Sequence, residues 1–127
     1  MSLVKDTRKV LVHWIYTPEE WKLFRRWERS RLGWLRYLVS RFHPASSSDM
    51  AEVTITRDQV AFNGKGELFA GASRKLRRVH LRESGNINIL EIFYQFGTGG
   101  TRVIRVPVPR GRLLQAIEVQ ECLSVNQ

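Results

Sequence analysis

Cys122, the histidines His13, His43 and His80, and the glutamates Glu83 and Glu91 are the residues whose types could carry covalent, metal or acid–base chemistry. Nucleophilic catalysis needs a base within hydrogen-bond reach of the nucleophile. Cys122 has no histidine near it in sequence and falls late in an apolar helical segment, so it reads as a buried structural thiol. The histidines fall on a strand, a helix end and a basic strand, with no i, i+4 pair and no zinc-type spacing to a cysteine. Glu83 and Glu91 flank Ser84-Gly85-Asn86 and read as exposed cross-strand acids. Gly97-Thr98-Gly99-Gly100 lacks the spacing of a phosphate loop and leads into β-type residues where such a loop needs a helix N-terminus; Gly64-Lys65-Gly66 fails likewise. The expectation is a protein that is not an enzyme, with no catalytic residue, metal, cofactor or small-molecule substrate.

Basic residues are the remaining chemistry. The chain has 127 residues and a formal charge of +9, from 21 Lys and Arg against 12 Asp and Glu. Its 43% hydrophobic and 26% charged content is that of a globular chain, which argues against a disordered basic tail. Two clusters stand out: Lys22, Arg25, Arg26, Arg29 and Arg36 at helical spacing, and the run Arg74, Lys75, Arg77, Arg78 and Arg82. Arginine dominates both, and its planar fork suits bidentate contact with phosphate or carboxylate. The bland alternative is two solvated faces.

The first cluster belongs to an amphipathic element. Thr17-Pro18-Glu19-Glu20 is a capping box with proline at N1, so a helix starts there. At 100° per residue Trp21, Phe24, Leu32, Leu35, Val39 and Phe42 share one arc. Trp27, Trp34 and Leu38 widen it, and Glu28 projects onto it. Gly33 weakens the middle. A strand precedes this helix: Val10, Val12, Trp14 and Tyr16 alternate on one face, and Leu11 and Ile15 suggest that both faces are covered. His43-Pro44 and three serines make a seam. Beyond it the signals are strands at 52–56 and 59–62, an Asn63-Gly64 hairpin, and a segment at 73–83 ambiguous between strand and helix, read as strand. A strong hairpin follows, Ile87–Phe96 with Thr101–Val108, placing Leu90, Ile92, Tyr94 and Phe96 inward beside Ile104, Val106 and Val108. Pro107 ends that last strand or marks an edge. Leu113, Leu114, Ile117 and Glu121 describe a closing helix.

Together, the segment Tyr16-Thr17-Pro18-Glu19-Glu20-Trp21 with Phe24, the strand Val53-Thr54-Ile55-Thr56, and Val103-Ile104-Arg105-Val106-Pro107-Val108-Pro109 ahead of a short helix resemble bacterial pleckstrin-homology-like domains of the small uncharacterised membrane-associated type. The resemblance implies a sheet or partial barrel capped by a C-terminal helix. It also implies a transmembrane hairpin between Phe24 and Val53, where this chain has only Leu32–Phe42 interrupted by Arg36 and Arg41.

The expected architecture is therefore one α+β domain over residues 1–127. A strand and long basic Trp-rich helix occupy 1–43, a linker 44–50, and a pleckstrin-homology-like antiparallel body with a short C-terminal helix 51–127. The first twelve residues carry Lys5, Asp6, Arg8 and Lys9, unlike a secretory signal, and the longest uncharged run, Ile92–Thr101, is far below the roughly 20 residues of a membrane span. A cytoplasmic location, peripheral at a membrane, is expected. The expected role is a binding or scaffold module. Its basic helix would meet an anionic membrane surface or acidic protein, or its apolar side (Trp21, Trp27, Trp34, Leu38) would form a homodimer. Nucleic acid on Arg74–Arg82 ranks behind, because single strands favour aromatics among the arginines and that run contains none.

Overall fold

A computed structural model describes residues 10–28 and 51–125. Strand β1 (Val12–Ile15) leads into helix α1 (residues 18–28). Strands β2 (Glu52–Ile55), β3 (Gln59–Phe62) and β4 (Lys65–Leu68) follow, then the long β5 (Arg74–Ser84), β6 (Ile87–Phe96) and β7 (Thr101–Pro107), and helix α2 (Leu113–Val125). The strands form two antiparallel sheets, ordered β1-β2-β3-β4 and β5-β6-β7.

The capping box forms as its chemistry requires. The Thr17 amide donates to Glu20 Oε1 at 2.9 Å, and the Glu20 amide donates to Thr17 Oγ1 at 3.1 Å. The other carboxylate oxygen of Glu20 accepts from the Arg110 amide at 2.9 Å. Partial burial works against this charge, but the donors from Arg110 and Thr17 prevail and hold the Glu20 carboxyl below its ordinary range. The Asn63-Gly64 turn is a tight two-residue hairpin, both residues having positive φ (50° and 88°), so β4 begins already at Lys65. The ambiguous segment is a strand, and β7 both ends at Pro107 and lies at a sheet edge.

Between the sheets lies the core: Trp14, Val53, Ile55, Val60 and Phe69 meet Val79, Leu90, Ile92, Tyr94, Ile104 and Val106, with Ala116, Val119 and Leu123 of α2 closing one side. Polar contacts from β1 and its end help tie these layers together. Trp14 Nε1 donates to Gln115 Oε1 at 2.8 Å, and the buried Tyr16 hydroxyl donates to the Pro107 carbonyl at 2.7 Å. Burial pushes the Tyr16 phenol well above its usual value, with the nearby Glu20 charge adding to the effect.

Several expectations are corrected. The pleckstrin-homology-like partial barrel with a long N-terminal helix is replaced by two separate sheets and a described N-terminal helix of about three turns, shorter than the 13-residue α2. The sheets part at residues 69–73, where Gly71, Ala72 and Ser73 all take positive φ and turn the chain instead of extending the ladder. The described part of the helix covers residues 18–28, and periodicity reports which face is apolar, not how far a helix runs. Arg29, Trp34, Arg36 and Leu38, with the linker, lie outside the described residues. On β1, Ile15 is 54% exposed, so that face is open. On α2 the buried positions are Ala116, Val119 and Leu123, while Leu114 is 69% exposed. Leu113 and Leu114 lie off the packed face, which the i, i+3, i+7 row Ala116, Val119 and Leu123 forms. Phe96, at the end of its strand, is 39% exposed.

Candidate anion-binding surface

The run Arg74–Arg82 becomes a sheet face through one irregularity. Leu76 pairs with Tyr94 and points inward, but Val79 and Leu81, opposite Ile92 and Leu90, also point inward. Strict alternation cannot place an even and two odd positions on one side. A β-bulge between Leu76 and Arg78 absorbs the extra residue, Arg77, and resets the phase. Beyond it Arg78, His80 and Arg82 line the outward face, opposite Phe93, Glu91 and Ile89 of β6, with Val103, Arg105 and Pro107 completing the row on β7. The doubled arginine amid shifting apolar parity was the sequence signal of this arrangement.

Aromatic partners, missing from the run itself, come from the neighbouring strand. The Arg78 guanidinium carbon lies 4.5 Å from the Phe93 ring centroid. Arg74 and Arg102 flank Phe96 at 4.4 and 5.4 Å. These are cation–π distances. Arg74 Nη1 also donates to the Ala72 carbonyl at 3.4 Å. Lys75, Arg77, Arg78 and His80 are exposed, and among the described residues none of them is held by a carboxylate.

Glu91 corrects the sequence reading most sharply. It is 1% exposed, and its Oε2 accepts from Arg82 Nε at 3.2 Å and Arg105 Nε at 3.0 Å, while its Oε1 is buried without a hydrogen-bond partner. Glu83, paired with Asn88, lies on the other face, so the two acids are not neighbours in chemistry. Arg82 is thus consumed in part by an internal ion pair and is a weaker member of any binding set than Arg77 or Arg78. Its register neighbours are His80 and Arg105, and Arg82 stands two residues further along β5, so the cluster follows from the two strand registers and not from alternation within β6.

The N-terminal cluster is placed on α1. Lys22 and Arg26 are exposed, and Arg25 is half-buried and engaged. The opposite side turns into the protein: Phe24 is buried, and Trp21 sits 5.2 Å from Tyr16, 5.5 Å from Phe24 and 6.3 Å from Phe62 between ring centroids. Trp27 stacks on Phe24 at 6.0 Å and donates Nε1–H to Ser84 Oγ at 2.8 Å. That bond sets α1 against the outward face of β5–β7 at its Ser84 end, leaving the Arg78–Phe93 end open.

Glu28 follows on α1. Burial raises its carboxyl above the ordinary range, against the pull of Arg25 and Arg105. An acid with a raised folded-state pKa destabilises the fold at pH values above that pKa, and the penalty disappears below the unfolded value near 4.3. Glu28→Gln is therefore expected to raise Tm at pH 7 and to match the parent near pH 4. A Tm that falls at pH 7 would show that the arginine contacts outweigh desolvation.

Other candidates are not assembled. Among the described residues no group of His, Cys, Asp and Glu is placed to hold a metal. His13 is exposed on the first sheet, its Nε2 3.1 Å from Glu52 Oε1, and Cys122 is half-buried on α2. A cleft of about 160 Å³ opens among Tyr16, Glu20, Asn86, Asn88, Pro107 and Arg110, with no residue of the Arg74–Arg82 run in its lining. No described helix is long and apolar enough to cross a membrane.

Fold and site define a two-sheet α+β protein with an arginine-bearing sheet face. The chain matches no protein-family model, and neither a curated protein nor a solved structure is significantly similar to it.

Proposed function

We propose that this chain is a non-enzymatic binding module that receives an anionic partner on the open half of the β5–β7 face. The observation that supports it is the Arg78 guanidinium seated over Phe93 with no counter-charge among the described residues, beside exposed Lys75, Arg77 and His80. Holding a guanidinium over a ring restricts the side chain before any ligand arrives, which reduces the entropy lost on binding. The earlier expectation of a membrane or dimer contact through Trp21 and Trp27 loses weight, because both side chains are engaged within the chain. Lys22 and Arg26 remain available as a secondary basic patch.

Binding of fluorescent polyanions (inorganic polyphosphate, oligonucleotides, anionic vesicles) at about 50 mM salt tests this reading. The double variant Arg77→Ala/Arg78→Ala is expected to weaken the tightest interaction at least tenfold, while Lys22→Ala/Arg26→Ala changes it less. If the sheet variant binds like the parent, the site is elsewhere.

A further inference from the structure

The chemistry of the face narrows the partner. Resting on the reading above, we infer that the partner is single-stranded nucleic acid, laid along β5 with phosphates on its cations and bases stacked on the arginine planes.

Two features carry this. The first is spacing. Arg78 and His80 occupy alternate positions on the exposed half of one strand face, so they stand about 6.7 Å apart at 3.3–3.4 Å per residue, with exposed Lys75 and Arg77 just before them. That repeat is similar to the separation of consecutive phosphates in a stretched single strand. The second is the cation–π pair. The Arg78 guanidinium lies over the Phe93 ring on an exposed side chain, and guanidinium planes accept unstacked bases as aromatic rings do. Gln95 and Thr101, paired across β6 and β7 on the same face, add polar groups that can meet base edges.

Competing anionic partners fit less well. Reading a duplex requires an element that enters a groove. The hairpin tips, Gly85-Asn86 and Gly97-Thr98-Gly99-Gly100, carry no cation, and the charge runs along the flat of the strand. A bilayer also meets protruding points first, and at these tips Phe96, with Arg74 and Arg102 beside it, is the single exposed large apolar side chain among the described residues, less than an interfacial anchor needs. An acidic protein would satisfy the cations but has no use for the stacked planes.

The experiment measures fluorescence anisotropy with a labelled 12-nucleotide oligothymidine, a 12-base-pair duplex, and vesicles of phosphatidylserine and phosphatidylcholine, all at 50 mM salt. The single strand is expected to bind at least tenfold more tightly than the other two. With about four phosphates neutralised, raising salt from 50 to 200 mM should weaken it roughly 50-fold. Arg78→Lys keeps the charge and removes the plane, so it should weaken single-strand binding about fivefold or more. Phe93→Leu should act in the same direction.

Duplex or vesicle binding as tight as single-strand binding overturns this inference and leaves the anion-binding surface intact. Unchanged affinity in Arg78→Lys also overturns it, because charge alone would then account for the interaction. Absence of binding to all three probes and to polyphosphate overturns both readings.

Discussion

Glu91→Ala is expected to lower the unfolding free energy by about 3 kcal/mol, the low end of what removing one partner of a buried ion cluster costs. The parent holds two guanidinium groups on one carboxylate oxygen inside a sheet face, with Arg82 33% and Arg105 18% exposed. Alanine leaves both cations without their counter-charge in a place where water only partly replaces it. Their residual exposure is the reason for choosing the low end of the range. Urea denaturation gives the number, read as a displaced midpoint at constant slope. A second variant separates charge from burial: Glu91→Leu with Arg82→Met and Arg105→Leu replaces the cluster with apolar volume and should recover most of the loss. If Glu91→Ala falls within about 0.5 kcal/mol of the parent, the two arginines find sufficient hydration and the cluster is energetically neutral.

Trp14→Ala should cost more, about 3–5 kcal/mol, the usual range for deleting a buried aromatic. Trp14 is almost fully buried, faces Val53 across the β1–β2 ladder and reaches α2 through its bond to Gln115. Its removal opens a void where the first sheet, the second sheet and the closing helix meet, and it orphans the Gln115 carbonyl. Against a typical total of 5–15 kcal/mol, such a loss brings the chain close to unfolding at 37 °C. Trp14→Phe retains most of the packing and should lose only a fraction, so the difference between the variants measures the volume and the hydrogen bond. Equal midpoints for parent and Trp14→Ala would contradict the central position of this residue.

Local signals in the sequence were the most legible. The capping box, the Asn63-Gly64 turn and the two long hairpin strands all follow from rules acting over a few residues, and the structure shows each of them. What depends on distant partners was not legible. Glu91 reads as a surface acid until Arg82 and Arg105 are placed beside it by pairing across two strand interfaces. Phe96 reads as a core residue until the register sets Arg74 and Arg102 beside its ring, and Phe93 gains its partner Arg78 only through the bulge in β5. The α2 leucines suggested one buried face, but the helix packs through Ala116, Val119 and Leu123, because close approach to the sheet is decided by shape at the contact and not by hydrophobicity alone. The basic run itself was visible from the outset, whereas its aromatic partners required the register.

Glu20 divides its carboxylate between two tasks: one oxygen caps the first helix and the other receives the Arg110 amide ninety residues later. Beside it, the Tyr16 hydroxyl waits for the Pro107 carbonyl. During synthesis on the ribosome, the start of the first helix therefore emerges long before the backbone that completes its surroundings. The surroundings of residues 16–20 are complete only when residues 107–110 have left the exit tunnel, so this early-emerging segment waits some ninety residues for its last partners.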